Sequence, residues 1–154
     1  MDHMNIKWIY KAFNQLTPHE LYSILQLRNE VFVIEQNCIF QDADNKDQSS
    51  YHVMGWQDDH LAAYTRLVPE HVAYEESSIG RVVTSPKMRK TGLGKKLMIE
   101  SIDILYTIWG KKSIKIGAQL YLKNFYESLG FQQTSSVYLE DGIEHIEMLL
   151  KSPS

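Results

Sequence analysis

Apolar positions along this chain recur with two periods, about two residues and about 3.6, and each change of period marks the border of an element. Residues 5 to 13 read as a strand. Thr17-Pro18-His19-Glu20 then announces a helix, with threonine and glutamate in capping-box spacing and proline at the first helical position. That helix is expected to turn Leu21, Ile24, Leu25 and Phe32 inward. After a polar stretch from Gln41 to Ser50, Tyr51 to Gln57 and Leu61 to Val68 read as strands joined by the hairpin signal Asp58-Asp59-His60. A loop from Pro69 to Ser77 leads into a β-branched strand containing Ile79, Val82 and Val83, which Pro86 ends. From Leu93 the apolar residues Leu97, Met98, Ile102, Leu105 and Trp109 recur at helical spacing, predicting a helix over 93 to 109. Gly110-Lys111-Lys112 turns into a short strand, Ser113 to Gly117, and a helix bearing Leu122, Phe125, Tyr126 and Leu129 follows. Phe131 begins another strand, and Glu140-Asp141-Gly142 makes a hairpin into the last one, Ile143 to Leu150. The predicted order is β, α, ββ, β, α, β, α, ββ, an α/β (α+β) chain.

Composition narrows the class. With 154 residues and 44% hydrophobic content, residues 1–154 are expected to form one domain around one core, without repeat or linker. The net charge of −3 and the concentration of basic residues in one loop argue against nucleic-acid binding. No apolar run approaches membrane-spanning length, and Met1-Asp2-His3-Met4 lacks the basic and apolar regions of a signal peptide, so a cytoplasmic location is expected. A single cysteine, Cys38, excludes an internal disulfide, and no Cys/His cluster has zinc spacing, so no metal is expected.

The chemistry concentrates in Arg89-Lys90-Thr91-Gly92-Leu93-Gly94-Lys95-Lys96, between the β-branched strand and the 93–109 helix. Backbone N–H groups at a helix start lack intrahelical partners and sit at the positive end of the dipole, and glycine lets an anion approach them closely. Between Glu76 and Glu100 there is no acidic residue, whereas Arg81, Lys87, Arg89, Lys90, Lys95 and Lys96 all fall there. A polyanionic ligand is implied. The nucleotide P-loop does not fit, because Arg89 holds the place of its first glycine and Lys96 that of its Ser/Thr. A dinucleotide fingerprint needs a glycine where Leu97 stands.

The remaining pattern, Arg89-x-x-Gly92-x-Gly94 at a strand-to-helix junction, resembles the pyrophosphate loop of the GNAT superfamily of acyl-CoA-dependent N-acyltransferases. A second match lies at the expected distance, in Tyr126-Glu127-Ser128-Leu129-Gly130-Phe131. Phe32-Val33-Ile34-Glu35-Gln36-Asn37-Cys38, Gln41-Asp42-x-Asp44, Gly117-Ala118-Gln119, Asn124-Phe125-Tyr126 and Asp141-Gly142-Ile143-x-His145-Ile146 resemble its ElaA-like branch. The resemblance covers nearly the whole chain and implies the GNAT fold, a mixed central sheet of about seven strands flanked by helices. It also implies acetyl-CoA as cosubstrate, an amine acceptor, and room for a homodimer.

The implied roles follow residue by residue. Val82, Val83 and Thr84 would flank the thioester and offer backbone N–H groups to its carbonyl oxygen if their strand is splayed or bulged. Arg89, Lys90, Thr91, Gly92, Leu93, Gly94 and Lys95 would bind pyrophosphate; Gln119, where many members carry asparagine, and Asn124 would meet the rest of the cofactor. An amine with pKa about 10.4 is protonated at neutral pH, and exposing its lone pair costs roughly 4 kcal/mol, so a base or a water relay is needed. Glu35 and His145 are the candidate bases, with His52 a further one. Each has a plain structural alternative, a helix-end carboxylate for Glu35 and a half-buried strand histidine for the others. Tyr126, otherwise a core tyrosine, would protonate the departing thiolate. Cys38 would serve only an acyl-cysteine route, whereas the resemblance implies direct transfer in a ternary complex. Asp42, Asp44, Asp47, Glu70, Glu75 and Glu76 precede the cofactor strand and would favour a cationic acceptor if they wall its site. A non-catalytic acyl-CoA sensor would show the same phosphate loop, and a nucleotide-dependent phosphotransferase would bind ATP in competition.

Overall fold

A computed structural model describes residues 5–153, so the reading of Met1-Asp2-His3-Met4 lies outside the described residues. The elements are β1 (Lys7–Ala12), α1 (Pro18–Arg28), β2 (Tyr51–Gln57), β3 (His60–Val68), β4 (Ser78–Thr84), α2 (Leu93–Trp109), β5 (Ile114–Gln119), α3 (Lys123–Glu127), β6 (Gln132–Gln133), β7 (Tyr138–Glu140) and β8 (Ile143–Leu150). The strongest sequence signals set the most accurate borders. Thr17 Oγ1 accepts from Glu20 N–H at 3.1 Å while a Glu20 carboxylate oxygen accepts from Thr17 N–H at 2.8 Å, the reciprocal cap that starts α1. At the other helix, Gly110 stops α2 with φ +91 and its N–H on the Tyr106 carbonyl.

Two expectations about α1 change. Leu25 is exposed and Leu21 only half-buried, while Leu27 and the guanidinium-bearing Arg28 are buried. The inward stripe runs through Ile24, Leu27, Arg28 and Val31, an i, i+3, i+4, i+7 row in which arginine takes an apolar place. Past Arg28 the chain continues in the wider π winding over Asn29–Glu35, with Phe32 half-buried. Similarly, the third helix is five residues long after a 3-10 turn, so Leu122 and Leu129 flank it, and the strand expected from Phe131 reduces to two residues.

The strands form two antiparallel four-stranded sheets, β1-β2-β3-β4 and β5-β8-β6 with β7 also on β8, where a single mixed sheet of about seven strands was expected. The mixed character survives at one parallel bridge among the described residues, Ser77 to Ile114, reinforced by Lys115 N–H on the Ser77 carbonyl at 3.0 Å. Beyond that bridge β4 and β5 run parallel but unpaired, so their C-terminal halves part.

Helices cover both faces. Met98 and Leu105 of α2 pack with Leu67, Ile79, Ile114, Ile116 and Met148, and these side chains knit the two sheets across the gap. On the opposite face Ile24, Leu27 and Val31 meet Met54, Leu61, Tyr64 and Val83. The splay is therefore held open by apolar packing on either side. No helix of the described residues is long and apolar enough to cross a membrane.

Candidate functional site

The gap between β4 and β5 opens into a cavity of about 840 Å³. Gly92, Leu93 and Gly94 form one end of its lining, Val82, Val83 and Thr84 one wall, and Ile116 to Gln119 the facing wall. Tyr126, His145, Glu35 and Cys38 also line it.

At the glycine end, Lys90 (φ +63) and Gly92 (φ +83) both adopt left-handed backbone, which curls the loop before α2 into a concavity of the kind that suits an anion. Nothing lies within 4 Å of the position a Gly92 β-carbon would take, so the space over the helix start is open. The first intrahelical bond of α2 runs from Lys96 N–H to the Gly92 carbonyl, leaving the amides of Leu93, Gly94 and Lys95 at the helix start for a ligand. No acidic side chain falls in this first turn. These residues fit a pyrophosphate. Thr91 does not line the cavity; its hydroxyl donates to the Met88 carbonyl at 2.5 Å and pins the loop from behind. Lys95 and Asn124 are exposed and also stand outside the lining.

The β4 wall carries the irregularity on which its chemistry was conditional. The β3–β4 register passes from Tyr64↔Val83 to Arg66↔Gly80, so Thr65 faces two residues and β4 bulges at Arg81, whose φ is +50. Ser85 N–H bonds to the Ala62 carbonyl; strand alternation from that point directs the Val83 amide to β3 and the Val82 and Thr84 amides to the open edge. Across the gap, two tyrosines close on Gly117: a β-carbon there would stand 2.8 Å from the Tyr74 hydroxyl and 3.1 Å from that of Tyr138, so those ring ends would have to shift. Gln119 donates to Gln36 at 3.3 Å, tying the β5 end to the segment after α1.

Tyr126 is 5% exposed, its ring edge-on to Phe125 and Phe131, and its hydroxyl hydrogen-bonds no described residue. Burial, with some help from Tyr121, pushes the phenol well above its ordinary value, which keeps it protonated. His145 donates from Nδ1 to the Ile143 carbonyl at 2.7 Å, so the neutral ring carries its lone pair on Nε2, 3.8 Å from Glu140. Tyr138 stacks on this imidazole. Glu35 meets the Arg89 guanidinium with both oxygens, one at 2.6 Å, and that hydrogen bonding lowers its carboxyl despite a small opposing effect of burial. Cys38 is buried, with Sγ donating to the Asp141 carbonyl at 3.3 Å.

Other expectations are corrected. His52 is fully buried, donates from Nε2 to the Asp47 carbonyl and accepts at Nδ1 from the Tyr64 hydroxyl; it lies off the cavity, and burial lowers its pKa. The acidic loop does not present three free carboxylates. Asp42, Asp44 and Asp47 are engaged by Arg28, Arg66 and Arg81 at 2.7–3.3 Å, and only Asp44 among them lines the cavity. Glu70, Glu75 and Glu76 lie off the cavity, whose remaining acidic lining is Glu35, Glu140 and Asp141. Sequence reasoning missed Glu140 beside His145 and Arg81 at the bulge. An arginine inside the apolar run Ile79 to Val83 was the available signal for the second.

The ion network has a pH signature. Burial alone would raise the Asp44 and Asp47 carboxyls, but Arg66 and Arg81 for the first, and Arg28 and Arg66 for the second, hold both below the ordinary 3.8. A carboxyl with a depressed folded-state pKa stabilises the fold above its unfolded pKa and loses that contribution as pH falls through the folded value. Calorimetric melting temperature should therefore hold between pH 7 and about 5 and drop below about pH 4, with Asp44→Asn flattening the drop. An equal acid slope in the variant would refute the assignment.

The acetyltransferase (GNAT) domain family matches residues 16–152. Over 145 residues the chain is 41% identical to protein ElaA of Escherichia coli strain K12, covering 93% of this chain and 95% of that protein. The crystal structure of an acyl-CoA N-acyltransferase from Pseudomonas aeruginosa superposes with a TM-score of 0.90 at 39% identity, over 94% of this chain and 99% of that one. The crystal structure of Escherichia coli ElaA gives 0.89 at 39% identity, over 95% and 99%.

Proposed function

The chain belongs to the GNAT family of acyl-CoA-dependent acetyltransferases, and from that premise we propose that it transfers the acetyl group of acetyl-CoA to a primary amine by direct attack in a ternary complex. The observation that carries this reading is the splayed β4–β5 edge opening beside the N-terminus of α2. An extended chain of amide groups, such as pantetheine, can bond to those free edges as an added strand would, with its pyrophosphate on the amides after Gly92. The thioester then falls beside the bulge, where the outward Val82 amide is aimed at the carbonyl oxygen that becomes negative.

Amine and thioester meet in the cavity between Tyr126 and His145. His145 Nε2, directly or through a water, receives the amine proton, and Glu140 is near enough to stabilise the imidazolium formed. Glu35 is the poorer base, because Arg89 occupies both of its oxygens and favours its ionised form. When the C–S bond breaks, Tyr126 donates its proton to the thiolate. Cys38, with its thiol turned to a carbonyl, takes no part.

Calorimetric titration with acetyl-CoA and separately with ATP, followed by thiol release across a panel of primary amines, tests the proposal. Acetyl-CoA binding with amine-dependent thiol release is expected. ATP binding in competition would overturn it, and saturable acetyl-CoA binding with no release for any amine would favour an acyl-CoA sensor.

A further inference from the structure

Among described non-glycine residues with positive φ, Arg81 alone lies inside a strand. A residue with a β-carbon resists left-handed backbone, so the bulge it forms persists only where its surroundings impose it. The imposing contacts come from the acidic loop. Arg81 Nε donates to Asp42 Oδ1 at 2.8 Å, and Nη2 donates to the Asp42 carbonyl at 2.9 Å and to Asp44 Oδ2 at 3.3 Å. Neither aspartate is loose. Arg28, wholly buried at the end of α1, binds Asp42 Oδ2 at 2.7 Å, and Arg66 on β3 grips both oxygens of Asp44, at 2.7 and 2.9 Å. The bulge is thus braced through two carboxylates to the helix on one side and the neighbouring strand on the other.

We infer that Asp42 and Asp44 are positioning residues for acyl transfer, holding Arg81 in its left-handed conformation and so aiming the Val82 amide at the acyl carbonyl. The inference rests on the acetyltransferase reading and adds to it a reason for the acidic loop. Hydrogen-bond strength falls steeply with misalignment, so release of the brace weakens the carbonyl contact, while the pyrophosphate loop keeps its own support in the Thr91 hydroxyl on the Met88 carbonyl. Free CoA lacks the acyl carbonyl; acetyl-CoA has it. The ratio of the two affinities therefore reads the bulge, which a general loss of structure would not do.

The test compares wild type, Asp42→Asn, Arg81→Ala and Arg81→Gly by calorimetric titration with acetyl-CoA and with CoA, and by the infrared carbonyl stretch of bound acetyl-CoA. Asp42→Asn and Arg81→Ala should each lose about tenfold in acetyl-CoA affinity, hold CoA affinity within about twofold, and return the carbonyl stretch toward its value in water. Arg81→Gly, which adopts positive φ freely, should lose less than Arg81→Ala. Should Asp42→Asn not fold, the Arg81 pair decides by itself. Equal losses for acetyl-CoA and CoA, identical alanine and glycine variants, or no change in any of them would overturn the inference. Failure of the wild type to bind acetyl-CoA would instead bring down the acetyltransferase reading, and the brace's role with it.

Discussion

Replacing Gly92 by aspartate should lower acetyl-CoA affinity about a hundredfold while the protein stays folded. Two effects act together. With φ at +83 the position disfavours any β-carbon, at a cost of about 1–2 kcal/mol, and aspartate is among the residues that tolerate it best. The larger effect is on the ligand. In the proposed complex a diphosphate reaches the Leu93 and Gly94 amides through the open space above Gly92, which the new carboxylate would occupy. Two like charges about 4 Å apart repel by about 4 kcal/mol at an effective dielectric of 20, before screening by salt. The fold tolerates the change because a carboxylate at a helix start favours the helix and meets no neighbour there. Calorimetric titration with acetyl-CoA, beside a melting curve, decides the matter; an unchanged dissociation constant would exclude this helix start as the pyrophosphate site.

Tyr126→Phe should cost about a hundredfold in kcat and nothing in acetyl-CoA affinity or melting temperature. The hydroxyl has no partner among the described residues, and the edge-on contacts with Phe125 and Phe131 need only the ring, so phenylalanine fills the place without strain. What it removes, in the proposed mechanism, is the proton for the thiolate. Burial raises the phenol, so the donor form persists from neutral pH until the pH passes that raised value. A fall in rate below about pH 10 therefore belongs to some other group, and the variant should keep that limb at its reduced rate. A variant as fast as wild type would remove Tyr126 from the mechanism and leave water as the acid.

The two variants are designed to separate binding from chemistry, and both positions stand out in the chain as candidates. Gly92 stood out because a β-branched run, a proline, two spaced glycines and a helical period follow one another within a few residues. Tyr126 stood out through the Gly130-Phe131 pair after it, and only by resemblance, since its own helix offers the ordinary reading of a core aromatic. Asn124 and the Lys95 side chain came with the same motifs yet face solvent, while the Lys95 backbone amide stays at the helix start, because a motif fixes spacing and not which side of a helix a side chain takes.

Local order in the chain determined the capping box of α1, the full span of α2, the hairpin turns, and the glycine loop at the junction of β4 with α2, since each depends on residues a few places apart. Tertiary structure alone decided the rest. The division into two sheets depends on where β4 parts from β5, strands that a seventeen-residue helix separates in the chain. The sequence marked Asp42, Asp44 and Asp47 as acidic without showing that Arg28, Arg66 and Arg81 neutralise them, from 14 to 39 positions away. A charge declares its sign locally, but its partner is chosen by which strands and helices pack together, and that choice turned an apparent acceptor wall into the brace of a bulge.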